Sequence, residues 1–206
     1  MAIAQALLNS NTYHEYRKIV TRLIADGRSS GQEQSDELLH YSLLNDTRMN
    51  RLDKTIVIST ETIATLLSLK KNYIWLVLSE SWCGDAAQLL PIMNKMAIAS
   101  PSIELKVAFR DENLNLMDRF LSNGGRSIPK LLLLDADTLN VIGNWGPRPK
   151  GASHLIKSYK EQYGVIDETA KTELQLWYLH DKGLSTQNEL CQLMKDAETF
   201  YMKGNV

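Results

Sequence analysis

The sequence is poor in the side chains that build metal sites and disulfides. It has two cysteines and four histidines in 206 residues. Cys83 and Cys191 form no motif with each other, and no histidine stands at metal-ligand spacing from another histidine or a cysteine. We therefore expect no metal, no cofactor and no structural disulfide. Any chemistry at a cysteine has to be argued from its local surroundings.

Strong charge and long apolar segments are also missing. The formal net charge is −1, which argues against a general nucleic-acid-binding protein. No apolar run approaches the roughly 20 residues of a membrane-spanning helix. The first residues carry neither a basic leader nor a long apolar region, so they are a poor signal peptide. We therefore expect a cytoplasmic protein with no nucleic-acid or membrane partner.

Hydrophobic periodicity indicates how the chain is organised. Helical spacing predicts helices at 12–25, 36–53, 60–69, 84–99, 112–121, 151–163 and 167–181, and one that starts at Thr186, where Glu189 completes a capping box. Apolar or alternating segments predict strands at 55–58, 73–78, 103–109, 131–134 and 141–145. The resulting β-α-β-α-β-α-β-β-α order predicts an α/β fold, a mixed sheet with helices on both faces. We assign an N-terminal helical extension to 1–54, the core to 55–164 and a C-terminal helical extension to 165–206.

Cys83 stands where a buried strand passes into a helix. The first N–H groups of a helix have no partner within the helix, and together with the helix dipole they favour a negative charge. A cysteine at this place is expected to have a lowered pKa and a larger thiolate fraction, which makes it a candidate nucleophile.

Four features, taken in order, resemble the thioredoxin superfamily over roughly residues 55–163. They are Trp82-Cys83-Gly84, Pro91 within the following helix, Ser127-Ile128-Pro129 before a central strand, and Asn144-Trp145-Gly146 at the end of the last strand. The motif and the Arg110-Asp111-Glu112 stretch resemble a bacterial branch whose motif reads Trp-Cys-Gly-Asp-Cys. The resemblance implies a thioredoxin-like fold with helical extensions at both ends.

The chain departs from this family at two positions. Ala86 stands where the second active-site cysteine is expected, so intramolecular release of a mixed disulfide is impossible. The sequence is equally consistent with a natural alanine and with a substitution designed to trap such a disulfide. Val77 stands where many thioredoxins keep a buried acid.

The resemblance also implies roles for residues away from the cysteine. A cis bond before Pro129 would let the backbone of Ile128 receive an extended peptide beside Cys83. Gly146 would let a substrate backbone approach closely. Trp145 is either an apolar wall of the site, together with Trp82, or an ordinary hairpin residue.

Charged residues near the motif have alternative interpretations. Asp85 suits the first turn of a helix, and it would raise the pKa of Cys83 if the two lie close. Arg110 either offsets Asp85, binds an anionic thiol substrate, or pairs with the neighbouring acids. Arg148 and Lys150 form a small basic rim, which either receives an acidic partner or, as we interpret it, is a solvated loop.

Three functions are compatible with these residues. The leading one is thiol–disulfide exchange through Cys83 alone, with a protein or a small-molecule thiol or disulfide as partner and an external thiol for release. The second is a non-catalytic peptide-binding or redox-sensing module, so whether the protein is an enzyme stays open. The third is an iron–sulfur carrier, in which Cys83 and an external thiol would share a cluster between two subunits.

Overall fold

The computed structural model describes residues 2–203. Its helices are α1 (Ala2–Leu8), α2 (Tyr13–Ala25), α3 (Asp36–Thr55), α4 (Thr60–Leu67), α5 (Gly84–Ile98), α6 (Leu114–Met117), α7 (Lys150–Tyr163), α8 (Glu168–Asp181) and α9 (Leu184–Lys203). Capping side chains determine several helix starts. Thr12 forms a capping box with Glu15, and the side chains of Ser35, Ser59 and Asp167 accept N–H groups of the first turns they precede.

The strands form one four-stranded mixed sheet in the order β2-β1-β3-β4. They are β1 (Tyr73–Ser79), β2 (Ile103–Phe109), β3 (Lys130–Asp135) and β4 (Val141–Trp145). β1 runs parallel to β2 and antiparallel to β3, and β3 and β4 form an antiparallel hairpin. Every residue of β3 is buried, as the continuous apolar run of a central strand requires. Helices cover both faces, so the expected thioredoxin-like α/β fold is confirmed.

The predicted strand at 55–58 does not form. Helix α3 continues to Thr55, and the chain after it is extended but pairs with no strand in the described part of the protein. Side chains, rather than a neighbouring strand, form hydrogen bonds with this backbone. Lys95 Nζ donates to Ile56 O (2.6 Å), and the Gln187 side chain donates to Val57 O and accepts from Ser59 N. These contacts pair three backbone groups of the β-branched segment without a neighbouring strand.

Two helix predictions also need correction. Helix α9 begins at Leu184, so Thr186 lies inside it, and the Glu189 carboxylate binds Trp145 Nε1 and Lys150 N rather than closing a capping box. The helix expected at 112–121 is reduced to α6, which follows a single 3₁₀ turn at Arg110–Glu112.

The terminal helices pack on the sheet and on its covering helices. Helix α3 lies against α5, and α9 contacts α4, α5 and β4. From the N-terminal side, the Tyr16 ring packs against Phe109 with centroids 5.5 Å apart. From the C-terminal side, Trp75 Nε1 donates to the Met194 sulfur at 3.3 Å. None of the helices in the described residues combines the length and apolar character needed to cross a membrane.

Candidate functional site

Cys83 is the N-cap residue of α5, at the end of the turn that follows β1. Its Sγ accepts the N–H of Ala86 at 3.4 Å and donates to the carbonyl of Ile128 at 3.3 Å. The Ile128–Pro129 peptide bond is cis, and Pro91 lies inside α5. The thiol therefore sits between the start of α5 and the backbone that leads into β3.

The N-terminal extension holds the turn that carries Cys83. Ser30 N donates to Ser81 Oγ (2.9 Å), and Ser81 N donates to Ser30 Oγ (2.7 Å). From α3, Asn45 Nδ2 donates to Ser81 O at 2.9 Å. These contacts satisfy the polar backbone of a buried turn, which would otherwise destabilise it.

The expected lowering of the Cys83 pKa is wrong. Burial and, next, the Asp85 carboxylate raise the pKa of Cys83 to about 12, against smaller opposing effects of backbone N–H groups and Arg148. Cys83 is only 8% exposed, so a thiolate would lose most of its hydration. The helix start favours the thiolate, but desolvation outweighs it.

Asp85 has a guanidinium and a hydroxyl as partners. Its carboxylate lies 2.7 Å from Arg148 Nη2 and accepts the Tyr178 hydroxyl at 2.8 Å. Burial, followed by the charge of Asp85, raises the pKa of Tyr178 well above its ordinary value, so Tyr178 is a neutral donor. A buried carboxylate is tolerated only when it is paired and hydrogen-bonded, and these two groups meet that requirement.

Arg148 and Tyr178 were not predicted for this site. The interpretation of Arg148 as part of a solvated loop is wrong. Of the alternatives for Arg110, the pairing with a neighbouring acid is the one that the structure shows. The guanidinium of Arg110 pairs with Asp111 at 2.7 Å and stacks over the Trp82 ring at 5.0 Å. An acid at position 85 by itself indicates that a cation should pair with it. No local pattern indicates which distant cation this is.

A cleft of about 320 Å³ opens above Cys83. Its lining residues are Trp82, Cys83, Gly84, Asp85, Arg110, Arg126, Ser127, Ile128, Pro147 and Arg148. The structure thus brings the motif, Ile128 and Arg110 together. Of the four charged lining residues, three are arginines, each paired with a carboxylate, and one is the acid Asp85.

Trp145 and Gly146 serve the scaffold rather than the cleft. Trp145 Nε1 donates to Glu189 on α9 at 2.8 Å, so the ring faces the C-terminal extension. Gly146 has φ +112°, and a Cβ on it would collide with the carbonyl oxygen of Pro129. The backbone that approaches Gly146 closely is therefore that of the protein itself.

Glu80 is a buried acid that the sequence analysis, which noted only the absence of an acid at Val77, did not predict. It follows β1 directly and is 0% exposed. Its carboxylate interacts with the Ser30 hydroxyl and accepts the N–H of Asp111 at 2.9 Å. Burial raises the pKa of Glu80 to about 7. The sequence feature that could have indicated Glu80 is a charged residue directly after a buried strand.

The second cysteine is not part of this site. Cys191 is buried on α9 and does not line the cleft. Over residues 2–203, no group of three or more histidine, cysteine, aspartate or glutamate side chains is arranged to hold a metal ion.

A match to a family model agrees with the fold. A family model described as "Thioredoxin" matches residues 31–160. A crystal structure of an HIV epitope scaffold is similar with a TM-score of 0.56 and 18% identity, over 90% of this chain and 98% of that one. A protein of unknown function from Pseudomonas aeruginosa is similar with a TM-score of 0.48 and 16% identity, over 95% of this chain and 99% of that one. No curated protein matches the sequence.

Proposed function

Because the chain belongs to the thioredoxin family, we propose that its cleft is a partner-binding groove with Cys83 as a protonated thiol at the floor. The observation that carries this proposal is the environment of Cys83: a buried thiol that donates to Ile128 O beside a carboxylate. A thiol with a pKa of about 12 has a thiolate fraction at neutral pH roughly a thousandfold below that of a free cysteine. Such a thiol is a poor nucleophile, but as an uncharged group at the base of the cleft it suits the binding of a partner.

The lining favours an extended partner with acidic residues. The backbone of Ser127 and Ile128 borders the cleft and leads into β3, which suits strand addition by a peptide. Arg110 and Arg126 stand at the same cleft, whereas their partners Asp111 and Asp118 do not line it. A partner's carboxylate in the cleft would therefore meet the guanidinium groups of these two arginines rather than their acids.

Thiol–disulfide exchange through Cys83 alone is the second candidate. It is favoured by the N–H of Ala86, which donates to Sγ and would stabilise a thiolate. The Cys83 thiolate would attack a disulfide sulfur, forming a mixed disulfide and expelling the other sulfur as a thiolate. With Ala86 in place of a second cysteine, a second external thiol must attack the mixed disulfide and release Cys83.

The two candidates are distinguished by the reactivity of Cys83 toward iodoacetamide between pH 6 and pH 10. Cys191→Ala leaves Cys83 as the single thiol, and the same variant in denaturant gives the rate of an unperturbed cysteine. We expect the folded protein to react at least a hundredfold more slowly at pH 7, with a rate that still rises at pH 10. A plateau with an apparent pKa below about 8.5, together with exchange against a small disulfide, would replace the first candidate by the second.

A further inference from the structure

A second cavity lies away from Cys83, where the C-terminal end of α3 meets α5 and the junction of α8 and α9. Its volume is about 500 Å³. The side chains of Leu52, Ile56 and Ile92 form a buried apolar floor. Gly183 closes the base, since a Cβ there would lie 2.8 Å from Ile92 Cδ1. The floor is thus a packed apolar surface rather than a loose gap between helices.

The mouth of this cavity is apolar and exposed. Val57, Leu179 and Leu184 line it and are 77%, 50% and 51% exposed. Large apolar side chains that surround one opening are more informative than single exposed leucines, because contiguous exposed apolar surface marks binding sites. The extended segment after α3, which forms no strand, supplies Val57.

All charged residues that line this cavity are positive. They are Arg51 and Lys182, and the lining contains no acid. Neither side chain lies within ion-pair distance of a carboxylate anywhere in residues 2–203. An apolar floor beneath two cations is complementary to a ligand with an apolar body and one anionic end.

We propose that this cavity binds a free single-chain carboxylate, a medium-chain fatty acid in chemical class. The chain would lie on the apolar floor, and the carboxylate would stand between Arg51 and Lys182. The volume is within the roughly 300–1,000 Å³ of small-molecule sites. Tyr178 lines this cavity and also donates to Asp85, so the ligand would contact a residue that holds the Cys83 site.

Calorimetric titration with decanoate tests the proposal, with decan-1-ol and decyltrimethylammonium as ligands of matched chain length. We expect one decanoate to bind per chain and each of the two matched ligands to bind at least tenfold more weakly. Octanoate should bind roughly tenfold more weakly than decanoate, because two methylenes leave the apolar floor. Equal binding of decan-1-ol and decanoate would overturn the role of the cations.

Matched variants locate the binding. Leu179→Gln should weaken decanoate binding at least tenfold, whereas Leu176→Gln, on the same helix, 47% exposed and outside the cavity, should not. Arg51→Gln should weaken it, whereas Lys54→Gln on the same helix should not. The proposal fails if the two leucine variants bind alike, or if gel filtration shows a dimer that Leu179→Gln dissociates, since a second copy would then be the occupant.

Discussion

Replacement of Glu80 by glutamine is expected to change how the stability of the protein depends on pH. The Glu80 side chain is 0% exposed at the end of β1 and interacts with Ser30 and the N–H of Asp111. Burial raises its pKa from the ordinary 4.5 to about 7, and the nearby Asp111 carboxylate adds to this. The Ser30 hydroxyl, the Asp111 N–H and the charge of Arg110 oppose the shift but do not cancel it.

The direction in which the free energy of unfolding changes with pH follows from proton binding. In the unfolded chain Glu80 loses its proton near pH 4.5, whereas the native protein holds it until about pH 7. The native state binds more protons over this interval, so the free energy of unfolding falls as pH rises through it. At about 1.36 kcal/mol per pH unit, the loss is about 3 kcal/mol. The stabilisation that Glu80 provides is fully present below the pKa it has in the unfolded chain, and it is lost above the pKa it has in the native protein.

Urea denaturation followed by circular dichroism at pH 4.5, 6 and 8 measures the effect. Glutamine keeps the shape and an oxygen acceptor for Asp111 N but does not titrate. The free energy of unfolding of Glu80→Gln, measured relative to that of the parent protein, should therefore rise by about 3 kcal/mol from pH 4.5 to pH 8. Glu33→Gln, at an exposed acid, should show no such change. A difference for Glu80→Gln that is independent of pH would refute the reasoning, because Glu80 would then be ionised in both states.

Three further substitutions test the site and its scaffold. Asp85→Asn removes a charge that raises the pKa of Cys83, so iodoacetamide should label the folded variant at least tenfold faster at pH 8. Arg148→Met leaves Asp85 buried without its cation and should cost about 3 kcal/mol in urea denaturation; addition of Asp85→Asn should recover most of this. Gly146→Ala should cost on the order of 3 kcal/mol through its positive φ and a backbone collision. Gly164→Ala has a positive φ and open space, so it should cost only about 1 kcal/mol.

Most elements of the fold were predictable because their patterns are local. The apolar run of β3 and the amphipathic stripe of α2 predict their own types. The segment after α3 has the same β-branched composition as a strand, yet it stays unpaired. Three of its backbone groups pair with the side chains of Lys95 and Gln187, which lie 39 and 128 or more residues away in sequence. No local pattern indicates contacts at that separation.

The site was predicted in position but not in electrostatics. Cys83 and Ile128 were placed together by resemblance, and their side chain and backbone do meet. The pKa direction of Cys83 was wrong because the helix start is visible in the sequence, whereas the degree of burial depends on how the whole chain packs. The pairing of Asp85 with Arg148 depends on a loop 63 residues further along, which places that guanidinium against α5.

The Asp85 contacts make the C-terminal extension part of the site. A carboxylate with only 9% of its side chain exposed needs partners that are buried with it. Arg148 comes from the loop after β4, and Tyr178 comes from α8, beyond the end of the family match at residue 160. Because Asp85 also raises the pKa of Cys83, the state of the thiol depends on a helix outside the matched segment. A change in how α8 packs would therefore alter Cys83 without touching the motif.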